Sequence, residues 1–287
     1  MRLVFVHGMR QEGHLVTDLL KAWRDSLYGT WQRLGLAKPD LEPEMPFYGD
    51  VLDRLTREIH GEVTAVGRGA PGVALSQTEE AMIREFAGAF GIADADVRAE
   101  LGAEVIARGP ANWEWVQAMG RVLEQRVPLF RKIGLSLVVQ VDAYLNRPHI
   151  RQAVDEIVAP FLKRGPLVLV SHSLGTIVSY LLLRQTNVAK VPLLVTLGSP
   201  LGINAVKDCM KPPKLVKPAQ VDHWLNGVDE RDFVALYATL DASTFCAGIE
   251  NVTDIHNREE DAHSIVDYLA DERVARAIHE VLNSEGG

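Results

Sequence analysis

Cysteine is nearly missing from this chain: 287 residues include only Cys209 and Cys246. Two thiols exclude a disulfide framework, and neither sits at a metal-ligand spacing. The chain opens directly on a strand-like run, "MRLVFVHG", with no basic and apolar leader before it. Both features lead to the expectation of a reducing, cytoplasmic setting. Long apolar runs are missing too. No stretch reaches the ~20 uninterrupted residues a spanning helix needs, so no transmembrane segment is expected. Nor is there an excess of positive charge. Thirty Lys and Arg face 38 Asp and Glu, a formal net charge of −8, which gives no overall attraction to nucleic acid or an anionic membrane. The one local exception is "VKDCMKPPKLVKPAQ" (206–220), where Lys207, Lys211, Lys214 and Lys217 read as a solvated, proline-broken loop. Internal repeats and low-complexity tracts are absent.

What is present is enough for a sizeable core: 47% of the residues are hydrophobic. Short runs of strand character occur at 2–6, 167–171, 192–197, 221–226 and 244–249. A weaker one at 41–47 is broken by prolines. The clear runs are continuously apolar rather than alternating, which suits strands covered on both faces of a parallel sheet. Helical patterns lie between them. Leu15, Val16, Leu19, Leu20, Trp23, Leu27, Trp31 and Leu34 repeat at three- and four-residue steps after the first strand. Val154, Ile157, Phe161 and Leu162 precede the second, and Leu174, Ile177, Val178, Leu181 and Leu182 follow it. Strand–helix alternation predicts an α/β fold. From 48 to 150 the patterns are almost entirely helical, with breaks at "GRGAPG" (67–72) and "ARGPAN" (107–112). The run 133–145 leaves helix and strand open. This middle section reads as an insertion in the core, not an independent domain.

Chemistry concentrates at "LVLVSHSLGTIV" (167–178), where a buried strand meets a buried helix through Ser171-His172-Ser173-Leu174-Gly175. A strand entering a helix through so tight a turn lifts its central residue above the sheet edge. The positions two away must then be small, because backbones crowd there. Ser173 takes the apex, at a helix N-terminus whose free N–H groups and dipole favour negative charge. The motif resembles the nucleophile elbow, G-x-S-x-G, of the α/β-hydrolase family of serine esterases and lipases, with Ser171 in place of the first glycine. "VFVHGMR" (4–10) is similar to that family's oxyanion loop. By this resemblance the N–H groups of Met9 and Leu174 form the oxyanion hole, and His7 is a structural residue at the strand end.

The resemblance also implies an acid after the strand at 221–226, in an Asp-x-Val pattern. Asp232-Phe233-Val234 matches it, with Asp229 as the rival in the same loop. A histidine is implied on a late loop. His263 is followed by Ser264, by Tyr268-Leu269-Ala270-Asp271 and by a terminal amphipathic helix, as in the family's ending; His256 is the alternative. His279 lies inside the last helix. His14, His60, His149 and His223 have no motif around them, and His172 is expected to point away from the nucleophile. Chain order is then Ser173, Asp232, His263, the order this family shows.

Other chemistries are weaker. The acidic cluster around Asp254, His256, Glu259, Glu260 and Asp261 lacks a zinc-type spacing. The "GSPLG" loop (198–202) fits a pocket wall better than a phosphate cradle. The resemblance implies an α/β-hydrolase fold with a mostly parallel sheet of about six strands flanked by helices, formed by 1–47 and 151–287. Residues 48–150 would be a helical cap. Trp113, Trp115, Phe86 and Phe90 would partly line an acyl pocket and partly form the cap's own core. The implied activity is hydrolysis of a small-molecule carboxylic ester through an acyl-enzyme, as a carboxylesterase or lipase, with no metal or organic cofactor. The same triad would serve a thioesterase, amidase or acyltransferase, and the pocket alone would serve a non-catalytic binding protein. Acyl length and oligomeric state are not legible in the sequence.

Overall fold

The computed structural model describes residues 1–57, 75–101, 113–185, 187–211 and 213–284, without the side chain of Trp113. The breaks expected at 67–72 and 107–112, and His60, lie outside them. Five strands form one sheet: β1 (Arg2–Val6), β2 (Leu167–His172), β3 (Val191–Leu197), β4 (Val221–Gly227) and β5 (Glu250–Val252). Their order in the sheet is their order in the chain, and every pair is parallel.

Of the expected strands, 2–6, 167–171, 192–197 and 221–226 are found to within a residue. Two expectations are corrected. The run 244–249 is a turn, and the strand lies just after it, at β5. Asp241 accounts for this by accepting from the N–H groups of Ser243 and Thr244, which winds the chain, while Phe245 and Cys246 turn inward. The sheet also has five strands among the described residues, not about six. Segment 41–47 gives only an isolated parallel bridge, Glu44 against Val4, on the free side of β1. Pro43 and Pro46 flank Glu44 and have no N–H to extend the ladder.

β2 shows why its sequence is continuously apolar. All six residues are buried. Leu167 and Leu169 enter one apolar cluster, and Val168 and Val170 enter another across the sheet. The second cluster is built by α1 (Val16–Arg33), α9 (Ile265–Ala270) and α10 (Glu272–Asn283). Trp23, Leu27 and Trp31 recur every four residues on the buried face of α1, and Trp31 Nε1 donates to Ala275 O at 2.7 Å. Burial of each such side chain contributes about 1.5–3 kcal/mol.

The opposite face carries a helical stretch at 49–57 and then α2 (Gln77–Ala89), α3 (Asp94–Ala99), α4 (Trp113–Arg126), α5 (Pro128–Asn146) and α6 (Pro148–Leu162). α7 (Leu174–Leu183) and α8 (Asn204–Cys209) join β2 to β3 and β3 to β4. The ambiguous run 133–145 is therefore helix, in α5. All of its residues from 137 to 144 are buried, as in a helix packed on every side, which is why neither a three-to-four-residue nor an alternating period shows in the sequence. Among the described residues the middle section shares its core with the sheet. Met82, Phe86, Trp115 and Phe130 share one apolar cluster with Val4, Leu169 and Leu194.

Parallel strands all end on the same edge, so the segments after β1, β2, β3, β4 and β5 converge there. These are His7–Arg10, Ser173, Gly198–Ser199, 228–232 and 253–264. One consequence of the topology is thus a meeting of residues scattered over more than 250 positions.

Candidate active site

Ser173 follows β2 with φ 54° and ψ −130°. Among the described residues, only it and Arg10 combine a side chain with positive φ. Such a backbone costs about 1–3 kcal/mol and needs its surroundings to hold it. They do. Ser173 N donates to Leu197 O at 3.1 Å, and Ser173 O accepts from the N–H and the hydroxyl of Thr176 at 2.9 and 2.7 Å. The crowding expected of the elbow is present. A Cβ on Gly175 would lie 2.4 Å from the carbonyl oxygens of Val6 and His7. Ser171 is tolerated in place of glycine because its hydroxyl has a buried partner, Ser179 Oγ, at 2.7 Å.

His263 closes the loop after β5. Its Nδ1 donates to Asp232 Oδ2 at 2.7 Å, with both side chains buried. Nδ1 carries the proton because its partner is a carboxylate, so Nε2 is left with its lone pair. Nε2 of His263 and Oγ of Ser173 are both buried and have no hydrogen-bond partner among the described residues. Both residues line one cleft of about 360 Å³, shared with Gly8, Met9, Leu19, Trp23 and Ile133. Asp232 Oδ1 accepts from Val234 N at 3.0 Å.

The structure separates the two aspartates. Asp232 meets the histidine, whereas Asp229 staples the loops together. Asp229 accepts from Asn257 N at 2.7 Å and from the N–H and guanidinium of Arg231. Burial pushes its carboxyl up, but the Arg231 side chain and the two backbone donors outweigh this and hold it below the usual range. His256 is exposed, and the hydrogen bonds of the Asp232 carboxylate go to His263, Tyr268 and Val234 instead. Asp254 pairs with Arg273, and Glu259, Glu260 and Asp261 are exposed. Among the described residues, no group of His, Cys, Asp and Glu could hold a metal ion, and no helix is long and apolar enough to cross a membrane.

Met9 is buried on the cleft wall, and Leu174 is the first residue of α7. Neither N–H donates to a protein acceptor among the described residues. The N–H of Leu174 lacks an acceptor because a helix cannot pair its first N–H groups. His7 is the structural residue expected. Its Nδ1 donates to Gly8 O at 2.7 Å, and its Nε2 accepts from Tyr48 N at 3.1 Å. Burial lowers its pKa to about 4.

Three contacts at the site were not read from the sequence, although the loop holding Gly198 was expected to form a pocket wall. His172 does not leave the site: its ring centroid is 4.4 Å from that of His263, and its Nε2 donates to His263 O at 3.0 Å. Burial, then the neighbouring imidazole, keeps it uncharged by lowering its pKa well below the ordinary value. Tyr268 donates to Asp232 Oδ2 at 2.8 Å; its place in the Tyr-Leu-x-Asp ending was the only signal. Gly198, at φ 53°, forms the floor: a Cβ there would lie 2.8 Å from Asp232 Oδ2 and 3.0 Å from the His263 ring.

Of the two roles expected for the aromatics, the packing role is the one found for Phe86 and Trp115. Phe86 and Trp115 are fully buried in packing, and Phe90 is partly exposed at the end of α2. None lines the cleft; Ile133 of α5 does. Phe86 and Phe130 instead pack on Phe233, next to the acid, with centroids 5.4 and 5.3 Å away. No family profile, curated protein or solved structure matches the chain.

Proposed function

We propose that the protein is a serine hydrolase of α/β-hydrolase type that cleaves carboxylic esters through an acyl-enzyme. The observation that carries this reading is the buried Asp232–His263 hydrogen bond beside the unpartnered Ser173 Oγ in one cleft. His263 Nε2 takes the Ser173 proton as Oγ attacks the ester carbonyl. The imidazolium, stabilised by Asp232, then returns the proton to the departing alcohol. Water clears the acyl group by the same steps in reverse order. The oxyanion of each tetrahedral intermediate lies against the N–H groups of Met9 and Leu174. Each such donor contributes roughly 2.7–4 kcal/mol in comparable sites. No step calls for a metal or an organic cofactor.

The test is hydrolysis of p-nitrophenyl esters from acetate to palmitate by the wild type and Ser173→Ala. Turnover confined to the wild type is expected, and the preferred chain length reports the room in the cleft. Equal turnover by both proteins, or none by either, would overturn the ester reading.

A further inference from the structure

We propose that Tyr268 is a positioning residue for this reaction, acting on the catalytic imidazole through Asp232. The proposal rests on the hydrolase reading of the site, and its test is arranged so that the two fail separately. Tyr268 lies in α9, five residues after His263, with its side chain wholly buried. Its hydroxyl has two partners, and their chemistry fixes where its proton goes. The Asp229 N–H, 3.0 Å away, can only donate, so the phenol oxygen accepts there. The phenol proton is then directed at Asp232 Oδ2, 2.8 Å away. Burial, and next the charge of Asp232, raise the phenol pKa well above its ordinary value, so this donor keeps its proton.

Asp232 Oδ2 thus receives two donors, the His263 Nδ1–H and the Tyr268 O–H. Sharing one oxygen has two effects. It fixes the rotation of the carboxylate, and through it the plane of the imidazole. It also draws off part of the charge that would otherwise stabilise the imidazolium. The ionisable groups facing the pair are Asp229 and its partner Arg231 from the loop after β4, His172 from β2, and Arg10 and Asp261 on the cleft wall. Tyr268→Phe keeps the ring and leaves these side chains in place; besides the bond to Asp232 it removes only the acceptor of the Asp229 backbone N–H, whereas 3-fluorotyrosine keeps both bonds.

Two measurements on the full chain decide the matter. NMR titration of the His263 imidazole needs no turnover; the acid limb of kcat/KM against pH needs it. In Tyr268→Phe both are expected to move to higher pH, by about half a unit to one unit. Replacement of Tyr268 by 3-fluorotyrosine, a stronger donor of the same shape, is expected to move both to lower pH. That second variant also guards against a Tyr268→Phe protein that fails to fold. Midpoints unchanged in the variants would overturn the proposal and restrict Tyr268 to a packing role. If Ser173→Ala keeps full turnover, or the wild type has none, the hydrolase reading fails, and the NMR titration still decides the coupling.

Discussion

Gly8 and Ser173 approach so closely that a Cβ on Gly8 would lie 2.6 Å from Ser173 Cβ. The first comes from the segment after β1 and the second from the elbow after β2, which are neighbouring parallel strands. Adjacent sheet position forces the contact, and glycine is the residue that permits it. Gly8→Ala must therefore push the segment after β1 and the turn at Ser173 apart. The expected result is a loss of about 1–3 kcal/mol in stability and a fall in kcat/KM of roughly a hundredfold. Urea denaturation and ester kinetics measure both. A fully active Gly8→Ala protein would mean that the Met9 N–H has no part in the site.

The backbone of Ser173 sharpens an ordinary stability ranking. As the N-cap of α7 the position already favours glycine over alanine, and at φ 54° and ψ −130° only glycine is unstrained. Relief of about 1–3 kcal/mol of strain exceeds the roughly 0.5–1 kcal/mol entropic cost of glycine. Ser173→Gly should thus be more stable than Ser173→Ala in urea, while neither turns over ester. If the alanine variant proves the more stable, the elbow is not held under strain.

Asp229 and Asp232 should exchange their defects. Asp229 is buried and joins Arg231 to the backbone of Asn257. Its replacement by alanine is expected to lower stability by about 1–3 kcal/mol and leave kcat within a few-fold of the wild type. Asp232→Asn keeps the shape but cannot hold His263 in the required tautomer, so kcat should drop by roughly 10⁴-fold with the fold intact. Thermal unfolding and steady-state kinetics on the pair give four numbers. A larger kcat loss in Asp229→Ala would reassign the acid.

Much of this was legible because the site's parts are local. A nucleophile elbow needs small, polar residues between two apolar runs, and 167–178 displays them. Strands covered on both faces must be apolar almost throughout, and β1, β2 and β3 declared themselves that way, whereas β4 exposes Asp222 and His223. The rest depended on contacts between distant segments. Phe86 reads as a packing residue of an amphipathic helix, but that its neighbour in space is Phe233, far along the chain, was not legible. His172 was expected to point away from the nucleophile; that it packs on His263 was not legible, because elbow spacing says nothing about the loop that covers it. Tyr268 reads as an ordinary helix residue until the loop after β4 brings Asp229 and Asp232 to its hydroxyl. The missing strand at 41–47 was signalled by Pro43 and Pro46, but that the segment still reaches β1 through Glu44 was not.

His7 makes stability depend on pH. Its Nε2 accepts from the Tyr48 N–H, so a proton there would set two donors against each other. Burial adds to this, and the folded pKa is about 4 against an ordinary 6.5. Between these values the unfolded chain binds the proton and the folded protein does not, so the folded state loses stability as pH falls. The contribution is complete above about pH 6.5 and is gone below about pH 4. His172, whose pKa is also lowered by burial, acts with the same sign. Denaturation at pH 7.5 and at pH 4.5 should differ by roughly 2–3 kcal/mol more in the wild type than in His7→Gln. The comparison removes the carboxylates, which titrate alike in both proteins. Equal pH dependence in the two would show that His7 takes up its proton in the folded state, and that the hydrogen bond from Tyr48 does not hold the strand end.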